Sequence, residues 1–181
     1  KIKFSSIIFG LTVLFIIILT TNSHADHYKN FKKIEMNIYR NGEIIGFSNY
    51  IFNTYDNIFE VINKTEFEVK LLGIKLFTIK SLSKERYKNH QLVEFNSETL
   101  QNNKRKFVNL NFDKSQNIFR IVGSSYEGEA DKENIIGNWW NYKILKANSQ
   151  ISPLSGSIKE QEVIFISKKT IKIDGKTFKV D

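Results

Sequence analysis

Apolar and polar residues alternate along most of this chain with a repeat of two, and short polar turns separate the runs. That repeat sends successive side chains to opposite faces of a strand. Ile34, Met36 and Ile38 alternate with Glu35, Asn37 and Tyr39, and Asn41-Gly42 follows. The Asn-Gly pair accepts the positive φ angles of a two-residue hairpin, so a return strand is predicted over 44–52 and the next turn over 54–57. The longest regular run comes next. Phe59, Val61, Thr65, Phe67, Val69 and Leu71 share one face, Glu60, Lys64, Glu66, Glu68 and Lys70 the other, and only Ile62-Asn63 blurs it. A strand with one face on a core and one in water has this pattern. Leu72-Gly73 predicts a bend or bulge, after which pairing resumes over 74–82.

Further strands are predicted over 92–99, 105–112, 117–122 and 157–167, and Asp174-Gly175 joins 171–173 to 177–180 in a last hairpin. One stretch departs from the pattern. Residues 124–138 read as a polar, acidic loop with Glu127, Glu129, Asp131 and Glu133. Asn138 then offers an N-cap, and Trp140, Ile144 and Ala147 have helical spacing, so a short helix is predicted to carry Trp139 and Trp140. The fold class expected is mainly β: a curved antiparallel meander, half-barrel or β-sandwich-like, with one short helix.

The first 25 residues follow a different logic. Lys1 and Lys3 precede an apolar run from Ile7 to Leu19, and Ser23-His24-Ala25 places small residues three and one before a cut. This is the layout of a secretory signal peptide cleaved after Ala25, with an apolar run short for the ~20 residues that span a bilayer. The expectation is an exported, periplasmic protein with no stable membrane anchor after cleavage, and residues 26–181 as a single antiparallel β domain. The chain starts with Lys1, so at least its first residue is expected to be missing.

Composition narrows the chemistry. The formal charge is +8, and removing Lys1 and Lys3 leaves 25 basic against 19 acidic side chains, or +6. The basic residues are spread along polar strand faces, and the tight group Lys104-Arg105-Lys106 suits a solvated hairpin tip. No nucleic-acid partner is expected. With no cysteine, neither disulfides nor thiolate chemistry contribute. His27 and His90 have no histidine partner at metal-ligand spacing, and no Ser lies in a Gly-x-Ser-x-Gly elbow. The acids of 127–133 lack the glycine and terminal glutamate of a calcium loop. No catalytic residue, metal site or cofactor is expected.

The tryptophan pair is the most distinctive local feature. Together with Ile144, and facing Phe67, Val69 and Leu71, Trp139 and Trp140 form the candidate ligand-binding set. The first reading of the same residues is structural: they suit plugging the open end of a sheet. The two readings differ in whether the space beneath them is filled.

Several ordered features recur together: Tyr39-x-Asn41-Gly42-x-x-x-Gly46, Val69-Lys70-x-Leu72-Gly73-Ile74-x-x-Phe77, Glu85 with Tyr87, Leu92 with Ser97-x-Thr99, Trp140-Asn141, and Pro153-Leu154-x-Gly156. The series resembles an uncharacterised family of exported alphaproteobacterial proteins, an all-β domain of unknown function. The resemblance covers nearly all of 26–181 and brings no catalytic residue with it. It departs near Tyr87, where the family usually has Trp. Family members also continue past the position of Asp181, which implies a C-terminal truncation here. By layout alone, such domains are similar to the half-barrels of periplasmic lipid and lipoprotein carriers. The function expected is a non-enzymatic binding or carrier module for an apolar or lipid-like small molecule. The alternative is a structural domain that binds an envelope protein, with a hydrolase third.

Overall fold

The computed structural model describes residues 31–173 and 175–180. The leader expected over 1–25 and its cleavage site lie outside the described residues, as does His27. From Lys33 onward the chain forms one compact unit. Its main feature is an eight-stranded antiparallel sheet in which sequence order and spatial order coincide. The strands are β1 (Lys33–Arg40), β2 (Glu43–Tyr55), β3 (Ile58–Leu71), β4 (Ile74–Lys88), β5 (Gln91–Gln101), β6 (Lys104–Asp113), β7 (Ile118–Gly123) and β8 (Tyr126–Asp131). The sheet does not close on itself. It is the antiparallel meander that the alternation predicts.

Two-residue turns make this meander possible. Asn41-Gly42, Asp56-Asn57, Leu72-Gly73, Asn89-His90 and Asn102-Asn103 all have both residues at positive φ. Such turns match the twist of the strands they join, and Asn and Asp tolerate that conformation better than other residues with a side chain.

The inner face differs from one half of the sheet to the other. One row of paired residues runs Phe52, Val61, Glu85, Phe95, Leu110, Ile121. From β5 to β8 the inner face is apolar, with Phe95, Val108, Leu110, Phe119 and Ile121 fully buried. A small second sheet covers it, in which β10 (Ser149–Ile151) lies between parallel β9 (Ile135–Ile136) and antiparallel β11 (Ile158–Glu160). Ile136 and Ile151 close the cluster from that side. Each such side chain contributes about 1.5–3 kcal/mol by leaving water. This half is sandwich-like.

Three local expectations differ from what is observed. The acidic stretch is not a loop throughout, since Tyr126–Asp131 forms β8. The short helix is a 3-10 turn over Tyr142–Lys146, capped by Asn141 rather than Asn138, so both tryptophans precede it. The strand expected over 157–167 is limited to β11, and a separate hairpin, β12 (Lys169–Ile173) with β13 (Lys176–Val180), follows.

Candidate functional site

Beyond the small sheet, the inner face of β2 to β5 turns polar. Ser48, Thr65, Ser81 and Thr99 form one paired row across these strands, and Tyr50, Asn63, Ser83 and Ser97 form the next. Hydrogen bonds tie the rows together. Ser48 and Thr65 share one at 2.7 Å, Ser81 and Thr99 another at 2.7 Å, and Asn63 Nδ2 donates to Ser48 Oγ at 3.0 Å. Ser97 Oγ donates to the carbonyl of Pro153, fastening the 152–156 loop onto β5. No buried side-chain nitrogen or oxygen among the described residues lacks a partner.

Above this polar floor lies a cleft of about 550 Å³. Met36 and Ile38 on β1, with Phe67, Phe77 and Ile79 on β3 and β4, form its apolar wall. Residues 136–139 and Pro153-Leu154 form the opposite side. The space therefore offers an apolar surface at one end and hydroxyl and amide groups along its floor, the usual composition of a small-molecule site. A depression of about 650 Å³ lies on the outer face among Lys64, Leu82, Leu100 and Phe107. It is larger but shallow, and its walls are mostly exposed side chains.

Glu85 is the one carboxylate lining the cleft, and it is buried. Its Oε1 accepts from Asn138 Nδ2 at 2.8 Å and from Trp140 Nε1 at 3.1 Å, and its Oε2 accepts from the Tyr87 hydroxyl at 2.5 Å. Burial pushes the Glu85 carboxyl up to about 7, against the pull of those three donors toward the charged form. Burial also raises the Tyr87 phenol, with the nearby Glu85 charge adding to it, and raises that of Tyr50. Both phenols therefore stay neutral around pH 7. Glu60 sits on the other face of the sheet, where burial acts upward but hydrogen bonds from Arg86 and Tyr55 outweigh it and lower its carboxyl.

The bend at 138–141 follows from two asparagines. Asn138 Oδ1 accepts from the backbone N–H of Asn141 at 3.2 Å, and Asn141 Oδ1 accepts from that of Lys143 at 3.1 Å. Asparagine side chains compete in this way with continued helix. The bend turns adjacent tryptophans in opposite directions. Trp140 is buried, with ring centroids of Phe52, Phe59 and Tyr87 at 5.6, 5.9 and 5.8 Å. Trp139 is 83% exposed and lies at the cleft.

Of the candidate set, then, Phe67 and Trp139 line the cleft, and Trp140 anchors the bend through Glu85 and the aromatic cluster. Val69 pairs with Phe77 just beyond the cleft, Leu71 is exposed at the end of β3, and Ile144 is half-buried in the 3-10 turn. Glu85, Asn138, Tyr50 and the hydroxyl rows were not among the candidates. Their sequence signal is position alone: Ser81, Ser83, Glu85 and Tyr87 fall on every second residue, and so on one face. Among the described residues, no three His, Cys, Asp or Glu side chains group as metal ligands. The groups in the cleft are suited to hydrogen bonding and apolar contact.

Residues 36–181 match the family model described as Domain of unknown function (DUF6134). No curated protein matches the chain, and no solved structure does.

Proposed function

The chain belongs to the DUF6134 family of domains of unknown function, and we propose that it is a non-enzymatic binding or carrier module for an amphipathic, lipid-like small molecule. The observation that carries this reading is the cleft itself, a space between the sheet and the 136–139 segment that the core leaves unfilled. Its two ends ask for two kinds of group. Phe67, Phe77, Met36 and Ile38 suit an acyl or other apolar body, and the hydroxyl rows with Glu85 suit a polar head that donates hydrogen bonds. Ser48 bonds Thr65 and Asn63, Ser81 bonds Thr99, Ser97 bonds a backbone carbonyl, and Glu85 bonds Tyr87, Asn138 and Trp140. That arrangement supports binding rather than activation of a nucleophile.

Native mass spectrometry of the purified protein tests this reading. A discrete mass increment of a few hundred daltons, removed by organic extraction, is expected. An unliganded protein that also takes up no acyl compound on incubation contradicts it. A periplasmic location is part of the proposal and rests on residues 1–25. It is checked by N-terminal sequencing of protein released from the periplasm, which should begin at Asp26.

A second reading, an envelope protein-interaction domain, is favoured by one observation. Val163, Ile164, Phe165 and Ile166 are consecutive and exposed. Cross-linking from 163–166 to a discrete envelope protein, with the cleft empty, supports that reading instead.

A further inference from the structure

The β3–β4 hairpin reaches beyond the sheet. Pairing of β2 with β3 stops at Gly46 opposite Phe67, and pairing of β4 with β5 stops at Ile79 opposite Gln101. Beyond those rows β3 and β4 pair as strands only with each other, from Glu68 opposite Thr78, which also bonds Asn102 of the β5–β6 turn, to Leu71 opposite Ile74. The result is a two-stranded finger whose end is apolar. Leu71, Leu72, Ile74 and Leu76 are 59%, 94%, 67% and 51% exposed.

The turn at the tip is unusual within this protein. Four other two-residue turns begin with Asn or Asp at positive φ, whereas this one places Leu72 there at φ 50. A leucine pays conformational strain in that region, and nearly all of its side chain is exposed, so no packing offsets the strain. The chain keeps an apolar side chain at a position where its other turns use a polar one.

The surroundings are basic. All odd-numbered turns of a meander fall at one end of the sheet, so the finger shares its end with Arg40 of the β1–β2 turn and Lys104-Arg105-Lys106 of the β5–β6 turn, against Glu43, Glu98 and, beside the β7–β8 turn, Glu127. Lys70 and Lys75 flank the tip and both bridge Glu68, at 2.9 and 2.7 Å, which leaves that trio with a net positive charge. At the finger's root, Phe67 and Phe77 have ring centroids 5.8 Å apart and line the cleft with Ile79.

We infer that the β3–β4 finger is a reversible docking element for an anionic lipid bilayer. Leu71, Leu72, Ile74 and Leu76 enter the headgroup boundary, and the surrounding lysines and arginines lie against anionic headgroups. Apolar side chains ringed by basic ones bind bilayer surfaces by both terms together, and weakly enough to release. The finger then places its root, and the cleft there, beside the membrane. The inference rests on the carrier reading for its purpose but is tested separately.

The experiment is flotation of the purified protein with vesicles of phosphatidylcholine alone or mixed with phosphatidylglycerol. Wild type is expected to float with the mixed vesicles and several-fold less with phosphatidylcholine alone. In the double variant Leu72→Asn/Ile74→Asn the first change gives this turn the residue type of the others and the second lies at an exposed strand end, so its melting temperature should hold while flotation falls at least tenfold. Lys104→Glu/Arg105→Glu should lose binding to the mixed vesicles and leave phosphatidylcholine binding unchanged. Docking is overturned if wild type does not float, if Leu72→Asn/Ile74→Asn floats like wild type, or if the finger captures a protein and no vesicle. Uptake of a fluorescent acyl probe by the same preparations keeps the two readings apart. Probe uptake without flotation sinks docking alone, and flotation without probe uptake sinks the carrier reading alone.

Discussion

Asn138 donates its side-chain amide to Oε1 of Glu85 at 2.8 Å, joining the segment after β9 to the C-terminal part of β4 with both partners buried. One bond therefore fixes two things: the orientation of a buried acid and the path of the chain along one side of the cleft. Trp140 adds a second donor to the same oxygen. The polar half of the sheet, which lacks the covered apolar cluster of β5 to β8, is held to its cover through this acid.

Asn138→Ala removes that bond and also the acceptor for the N–H of Asn141. A loss of about 2–3 kcal/mol is expected, since a buried acid keeps its desolvation cost with one donor fewer. Urea unfolding measures the loss. Hydrogen exchange should show faster opening in 137–141 than in β7.

The pH dependence of stability follows from Glu85. Its folded carboxyl, at about 7, holds a proton more tightly than the unfolded reference of 4.5. The stability it contributes is complete below pH 4.5, falls as the pH rises through about 7, and is gone above that, a change of about 3 kcal/mol. Glu85→Gln, which keeps an acceptor for Asn138 and Trp140, should flatten the profile in that window. Glu60 and Asp113 are lowered instead, so their contribution is lost only as the pH falls below the usual carboxylate range. Unfolding midpoints across pH 4 to 9 compare the two proteins.

The two tryptophans should separate cleanly. Trp140→Ala opens a cavity among Phe52, Phe59 and Tyr87 and is expected to cost about 3–5 kcal/mol. Trp139→Ala, at an exposed position, should cost under about 0.5 kcal/mol. Fluorescence gives an independent check, because Trp139→Phe should leave blue-shifted emission from the buried ring.

Two glycines distinguish space from conformation. A Cβ on Gly46 would lie 2.1 Å from the carbonyl oxygen of Glu66 and 2.4 Å from the Cβ of Phe67. Gly46→Ala must therefore spread β2 from β3 at the cleft wall, for a loss of about 2 kcal/mol or more. A Cβ on Gly73 meets nothing within 4 Å, but φ there is +79, so Gly73→Ala should cost about 1 kcal/mol. Thermal melts rank the pair.

The strands were legible because alternation is local, and so were the hairpins that use Asn-Gly. The site was less so, for a physical reason. Alternation reads a strand only while its inner face is apolar, and β4 continues past Leu82 to Lys88 with Ser83, Glu85 and Tyr87 facing inward. The pattern fades where the polar floor begins. Asn63, which blurs the run in β3, is inward and belongs to that same floor. β8 gives little signal because, of its inward residues Tyr126, Gly128 and Ala130, the last two are too small to extend an apolar alternation. The helical spacing of Trp140, Ile144 and Ala147 was overridden by Asn138 and Asn141, which close the backbone into a bend first. Of the candidate residues, Phe67 and Trp139 line the cleft, and what brings the Trp139 segment to β4 is the long-range bond of Asn138 to Glu85, which no local pattern encodes.

The most direct test of the carrier reading is a titration of the protein with a fluorescent acyl probe, comparing wild type with Phe67→Asp. Phe67 lies on the apolar wall and is only partly buried, so the variant should remain folded by circular dichroism. Saturable binding at one site is expected, weakened about tenfold or more by the charge, the equivalent of about 1.4 kcal/mol. Folded wild-type protein that shows no saturable binding, or a Phe67→Asp variant that binds as well as wild type, would contradict it.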